Sequence, residues 1–283
     1  MSIRVCNVSY VYHRDTPLET VSLRDVSFDV DPGEWIAVVG HTGSGKTTLA
    51  QMLNGLLFPT SGEVVVDGLK LYPKAPHLKS LRRKVGLVFQ YPEHQLFAET
   101  VLDEMMYAPK NFDIPEDEAR RNIERTLELF DLDENVLSKN PFELSGGQRR
   151  KVALASIMVV EPDYLVLDEP TAGLDWKGRE ALFSILEDFR SKGIAIVQIT
   201  HDIEMVLGHC DKLLVLENGR KKLWGRPAEV IEDLAEKPVK GLVLPEVLEF
   251  AHSLRNAGLN VPLTWDEKSL LEAIEREVSS CIS

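Results

Sequence analysis

The chain has 283 residues, 44% of them hydrophobic, enough to bury a large core in one large domain or in one domain with a small appendage. Its 32 basic and 45 acidic residues leave a net charge of −13, which repels a phosphate backbone and argues against nucleic acid as a partner. No stretch reaches the about 18 consecutive apolar residues of a membrane span, Met1–Cys6 lacks a signal peptide's apolar core, and Cys6, Cys210 and Cys281 have no metal-ligand spacing; the expectation is a soluble cytoplasmic enzyme, any membrane role of which would run through a partner.

Residues 3–12 and 24–30 alternate apolar and polar side chains, predicting an antiparallel β lobe, and Asp31-Pro32-Gly33 supplies a turn. The apolar, β-prone run Glu34–Val39 leads into Gly40, His41, Thr42, Gly43, Ser44, Gly45, Lys46, Thr47 and Thr48, and the helical pattern Thr47–Gly55 follows. Glycine at 40, 43 and 45 lets successive N–H groups turn inward, as a phosphate cradle requires. The strand-loop-helix context places phosphates on a helix N-terminus. In such a phosphate loop Lys46 pairs with the β and γ phosphates of ATP and the Thr47 hydroxyl coordinates Mg²⁺.

Val85–Gln90, Tyr164–Asp168 and Ile194–Thr200 are short apolar runs of the kind buried in parallel strands. Gln90, Asp168, Glu169 and His201 then emerge at carboxyl ends of strands, where open α/β sheets bind ligands. Between Gln90 and Pro162 the pattern is mostly helical. Within it, Ser145 is an N-cap, Gly146 and Gly147 permit close backbone approach, and Gln148 begins a helix whose positive dipole end faces an anion. Arg149, Arg150 and Lys151 read as a solvated charged face. Lys212–Glu217 followed by Asn218-Gly219 predicts a hairpin with a type I′ turn. In the tail, Pro245 and Gly258 bracket a helix with an apolar stripe of Val247, Leu248, Ala251 and Leu254; Thr264-x-x-Glu267 reads as a capping box before Leu270, Leu271, Ile274 and Val278.

Leu144–Gln148, downstream of the phosphate loop, resembles the signature of the ABC-type ATPases. The resemblance implies a mixed α/β fold: a phosphate-loop ATPase with a RecA-like parallel-sheet core, an antiparallel β lobe, a helical signature subdomain and a small helical C-terminal extension. It divides the chain into an ATPase domain over 1–226, with the helical subdomain at about 91–161, and an extension over 227–283. It further implies that Asp168 holds Mg²⁺, that Glu169 orients and deprotonates the attacking water, and that Gln90 contacts the metal or that water. His201 matches a switch histidine that reads the γ-phosphate, and Pro170–Asp175 resembles the segment that puts Asp175 at a dimer seam. Tyr12 matches the aromatic that stacks on adenine, with Tyr10, of the same strand parity, as the alternative. Ser145, Gly146, Gly147 and Gln148 would contact ATP held on a second subunit's phosphate loop, so that neither chain alone completes a site.

Gln90–Glu104, Thr16–Glu19 and the tail resemble the energy-coupling factor transporter ATPases, in particular the second of their two paralogues. That implies a peripheral subunit on the cytoplasmic face of the membrane, paired with a second ATPase as a homodimer or a paralogue heterodimer. It implies also an integral-membrane scaffold with coupling helices and, indirectly, a substrate-binding membrane subunit for vitamins or transition-metal ions. The tail helices would pack as core or clamp the dimer. A conventional importer ATPase and a soluble ABC ATPase acting on nucleic acid or ribosomes are the rival readings.

Overall fold

A computed structural model describes residues 1–282, with side chains through Ser279; the side chain of Cys281 lies outside the described residues. The chain opens with the hairpin of β1 (Ile3–Tyr12) and β2 (Thr20–Val30), then β3 (Trp35–Val39), α1 (Lys46–Leu53), β4 (Ser61–Val66), β5 (Leu69–Lys70), α2 (Leu78–Lys84) and β6 (Val85–Val88). Three longer helices follow, α3 (Val101–Asn111), α4 (Glu116–Leu129) and α5 (Gly146–Met158), before β7 (Tyr164–Asp168), α6 (Trp176–Ser191) and β8 (Ala195–Thr200). The hairpin β9 (Lys212–Glu217) and β10 (Arg220–Gly225) precedes the tail helices α7 (Pro227–Glu236), α8 (Glu246–Asn256) and α9 (Glu267–Ile282).

Two sheets result. One is the antiparallel lobe in the order β2-β1-β4-β5; the other runs β10-β9-β3-β8-β7-β6, parallel from β9 to β6 with β10 antiparallel at its edge. Every residue of β3, β7 and β8 is buried, which explains why their sequences are continuous apolar runs without alternation. Ile36, Val38, Val166 and Val197 pack towards α1 and the β lobe, while Ala37, Val39, Leu165 and Ile196 pack towards the helices. Side chains buried as fully as Ile36 and Val38 each contribute about 1.5–3 kcal/mol relative to exposure. Parallel pairing sets the carboxyl ends of β3, β6, β7 and β8 along one edge of the sheet, and that edge carries the chemistry below. Asn218 and Gly219 have φ of 49° and 76°, as the type I′ turn requires.

In the tail, Val230, Ile231 and Leu234 of α7 join the core beneath the sheet, as does Leu248 of α8; Ala251, Val261, Leu270 and Ala273 form a separate small core between α8 and α9. The capping box expected at Thr264 and Glu267 does not form. Asp266 caps α9 instead, its carboxylate accepting from the Ser269 N–H at 2.9 Å, while Thr264 Oγ1 accepts from the Asp266 N–H at 3.1 Å one step outside the helix. Asp is the stronger N-cap, and it stands directly before the first helical residue. Of the expected apolar stripe, Leu270 is buried, but Leu271 and Val278 face solvent.

Candidate active site

The phosphate loop is shaped by what crowds it. A Cβ on Gly40 would stand 2.3 Å from the Leu216 carbonyl oxygen, and one on Gly45, at φ 102°, would stand 2.6 Å from the Ser22 carbonyl oxygen, so both positions exclude side chains. The β9-β10 turn buttresses the loop: the Gly219 N–H donates to the Ser44 carbonyl at 3.1 Å, and the Arg24 N–H donates to the Gly219 carbonyl at 2.7 Å. Thr42 and Gly43 are exposed at the tip, and His41 packs beside Gly241 of the tail. Lys46 is 7% exposed and its Nζ donates to the carbonyls of Gly40 at 2.7 Å and His41 at 3.1 Å. Burial pushes its amine below the usual lysine range, against the pull of the Glu169 and Asp168 carboxylates. The Ser44 hydroxyl is buried without a protein partner, a donor free for a phosphate oxygen.

Thr48 ties the loop to the β lobe, for its hydroxyl lies 3.1 Å from the Tyr12 hydroxyl and 2.8 Å from the Ser22 hydroxyl. Tyr10 packs instead on the lobe's core and meets the Tyr12 ring edge-on, with centroids 4.7 Å apart. Ser22 was not singled out in the sequence, and Gly219 was read only as part of a hairpin turn, because their contacts with the loop join segments far apart in the chain.

Asp168 ends β7, is 5% exposed and accepts a hydrogen bond from the Thr47 hydroxyl. Burial, with the neighbouring charge of Glu169, holds its carboxyl above the usual carboxylate range; the Thr47 hydroxyl and Lys46 oppose this. Carboxylate and hydroxyl oxygens side by side are hard donors suited to Mg²⁺. Among the described residues no group of three or more His, Cys, Asp or Glu is placed to hold a metal, so a cation here would draw its remaining ligands from phosphate and water.

Glu169 sits one residue further, in the left-handed region at φ 50°, its N–H donating to the Ile199 carbonyl at 2.9 Å. Its carboxylate is held from both sides: Oε1 lies 2.8 Å from His201 Nδ1, and Oε2 accepts from the Thr200 hydroxyl at 3.2 Å. His201 is open to solvent while Glu169 is largely covered. Gln90 stands exposed beyond the end of β6, at the same sheet edge. Asp175 caps α6 by accepting from the Gly178 N–H at 2.8 Å.

Ser145, Gly146, Gly147 and Gln148 are all exposed, anchored by the buried Leu144. Ser145 and Gln148 form a reciprocal capping box, with Gln148 N–H to Ser145 Oγ and Ser145 N–H to Gln148 Oε1 both at 3.3 Å. Their side-chain hydrogen bonds run to each other and not to the phosphate loop. The following charges do not form the solvated face expected. Arg149 is half-buried, and Arg150 is 7% exposed, its Nη1 donating to the Ala172 carbonyl at 2.8 Å and its Nη2 to the Pro170 carbonyl. The two carbonyls belong to the turn after Glu169, which no local pattern in 149–151 announces.

A family model described as ABC transporter matches residues 23–172, a span that holds the phosphate loop, the exposed signature helix and Asp168-Glu169. The chain belongs to the ABC transporter ATPase family. It is 46% identical to the energy-coupling factor transporter ATP-binding protein EcfA2 of Streptococcus agalactiae, over 93% of this chain and 94% of that protein. Its fold matches that of cbiO1 from Clostridium perfringens, described as part of the ABC transporter complex cbiONQ, with a TM-score of 0.72 and 32% identity over 90% of this chain and 98% of that one. It also matches the dimeric post-hydrolysis ATP-binding cassette MJ0796 bound to ADP and Pi, with a TM-score of 0.70 and 27% identity over 79% and 98% of the two chains. As an ABC ATPase the chain binds nucleotide and hydrolyses ATP in the service of transport. No described helix is long and apolar enough to cross a membrane.

Beside Gln90 this ABC ATPase has a groove of about 290 Å³ between the segment after β6, α3 and α5, lined by Leu56, Phe89, Pro92, Phe97, Tyr107 and Ser156 among others. Phe97 and Tyr107 stand at its rim, 61% and 52% exposed, edge to face with centroids 4.8 Å apart. The buried Glu104 holds that rim by accepting from the N–H groups of Phe97 and Ala98, each at 2.9 Å.

Proposed function

We propose that the chain is the ATP-hydrolysing motor subunit of an energy-coupling factor importer for vitamins or transition-metal ions, peripheral on the cytoplasmic face of the membrane. The observation that carries the dimeric part of this reading is the split between a phosphate loop packed against Asp168 and Glu169 and a signature helix whose capped end is open and self-satisfied. A second ATPase, a copy of this chain or a paralogue, supplies the missing signature over each nucleotide.

In this reading Tyr12 stacks on adenine, its hydroxyl held by Thr48, while Tyr10 serves the core. The loop from Gly40 to Thr48 cradles the phosphates, with Lys46 Nζ exchanging its carbonyl partners for β and γ oxygens. Thr47 and Asp168 would hold Mg²⁺, which neutralises charge on the phosphate oxygens, and Gln90 approaches from the strand beside them. Glu169 orients the attacking water and takes its proton as the bond between the γ-phosphorus and the bridging oxygen breaks. His201 and Thr200 aim its two oxygens, and His201 then answers to the γ-phosphate. Ser145, Gly146, Gly147 and Gln148 present N–H groups and a helix dipole to ATP on the partner, and Asp175 lies at the seam. The groove beside Gln90 receives a coupling helix of an integral-membrane scaffold, its exposed aromatic rim being the anchor.

The experiment is recovery of the tagged chain from its native membranes, with partners identified by mass spectrometry. The expected result is a second ABC ATPase, a helical membrane scaffold and small substrate-binding membrane proteins. A permease pair with a solute-binding protein would move the chain to the conventional importers, and ribosomes or nucleic acid alone would overturn the transport role.

A further inference from the structure

Arg150 is a buried charge that the roles above leave unused. Its side chain is 8% exposed, and it joins three segments: its own helix α5, the Pro170–Ala172 turn through two carbonyls, and the segment after β6 through Glu93, whose Oε1 stands 4.0 Å from Nη1. The Tyr91 ring also lies close to this turn, for a Cβ on Gly173 would stand 3.4 Å from it. A guanidinium removed from water is costly unless its donors are met. Here they are met incompletely, since Arg150 Nε and Glu93 Oε2 are both buried and both lack a protein partner. At 4.0 Å the Arg150–Glu93 contact is a charge pair without a hydrogen bond, so the turn carbonyls hold the guanidinium more firmly than Glu93 does.

Both ends of the junction lead to working parts. Pro92, next to Glu93, lines the groove beside Gln90 together with Ala153 and Ser156, which lie on α5 just beyond Arg150. Glu93 thus stands between a residue of the groove wall and Arg150. At the other end, the Ala172 N–H donates to the Glu169 carbonyl at 3.1 Å, so the turn that Arg150 grips sets the backbone from which the Glu169 carboxylate projects. We propose that Arg150 is a positioning residue that transmits occupancy of the groove to the Glu169 carboxylate, through Glu93 on one side and the carbonyls of Pro170 and Ala172 on the other. The proposal rests on reading Glu169 as the general base and the groove as the docking surface.

Three variants test it: Arg150→Lys, which keeps the charge but loses the planar fork; Arg150→Met, which keeps the apolar stem; and Glu93→Gln, which leaves Arg150 and the turn untouched. The first readout is hydrogen exchange in the purified full chain at the Ala172 and Leu174 amides, which are bonded to the carbonyls of Glu169 and Thr171. The second is kcat against KM for ATP in the membrane-extracted assembly. All three variants should speed exchange at these two amides while leaving β7 and the rest of α5 protected. Both Arg150 variants should lower kcat by about 10- to 100-fold, the scale of a small misplacement of a catalytic group, with KM within about twofold. Parent-like exchange at Ala172 and Leu174 in Glu93→Gln would overturn the transmission, even if both Arg150 variants fail to fold. So would an Arg150→Lys protein with parent-like kcat, since charge alone would then suffice. A Glu169→Gln control separates the two readings: parent-like turnover there removes the general base, while the exchange result still judges the grip of Arg150 on the turn.

Discussion

Lys46 and Asp168 are buried among protein atoms at the carboxyl edge of the sheet, whereas Ser145, Gly146, Gly147 and Gln148 stand exposed at the start of α5. The first region is crowded: no Cβ fits at Gly40 or Gly45, and the charged groups of Lys46 and Asp168 are both displaced from their usual ionisation by burial. The second is open: nothing lies within 4 Å of where a Cβ on Gly146 or Gly147 would be, and the capping box satisfies itself. A crowded half built by its own chain can be preorganised before any ligand arrives, but an open half gains its electrostatic effect only when another surface covers it and excludes water. That contrast is the structural argument for a site shared between two chains.

The comparison can be broken at several points. The largest effect is expected from Glu169→Gln, which should slow ATP turnover by about 10²- to 10⁴-fold, the usual worth of a general base, while equilibrium binding of ATP to the chain stays near the parent's. Rapid turnover by this variant would remove the crowded edge as the seat of proton transfer. Gly147→Asp places a carboxylate where there is room for it, so the fold should be retained and ATP should bind this chain normally, yet turnover of the assembly should fall by about 10²- to 10³-fold, as when transition-state donors are lost. If instead that variant lost ATP affinity as an isolated chain, the signature would belong to the chain's own site. Lys46→Ala should act on the other half alone, weakening ATP binding about 10- to 100-fold for the loss of charged hydrogen bonds, and a titration with unchanged affinity would contradict the loop's role.

The smallest effect concerns stability. Because burial raises the folded-state pKa of Asp168, its favourable contribution is fully present below the unfolded pKa and is lost as pH rises through the folded value. Asp168→Asn should therefore raise the melting temperature at neutral pH while turnover drops, and the gain should shrink on acidification. A variant less stable than the parent at neutral pH would show that the Thr47 and Lys46 contacts outweigh desolvation.

Much of this was legible in the sequence where rules are local. Continuous apolar runs marked β3, β7 and β8 because both faces of those strands are covered, and Asn218-Gly219 marked its turn because few dipeptides accept two positive φ angles. Ser145 was visible as a cap because a hydroxyl directly before a helical pattern is itself a local signal. Arg150 was not, since its burial depends on carbonyls of Pro170 and Ala172 that reach it only through the tertiary fold. Gln198 was hidden inside an apolar strand, where it is fully buried with both amide atoms unpartnered by protein. At the start of α9 the expected cap at Thr264 was displaced by Asp266, two residues on, which stands directly before the first helical residue.

The shared site is tested most directly by cross-linking from Lys151, on the signature helix, in the assembly purified through a tag and held with Mg²⁺ and a non-hydrolysable ATP analogue. Mixing isotopically distinct copies separates links within a chain from links between chains. The account predicts links from Lys151 to the phosphate-loop side of another polypeptide, a second copy or a second ATPase, that appear only with nucleotide. Links from Lys151 confined to its own chain's phosphate-loop side, such as to the exposed Lys240 beside Gly241, and indifferent to nucleotide, would contradict it.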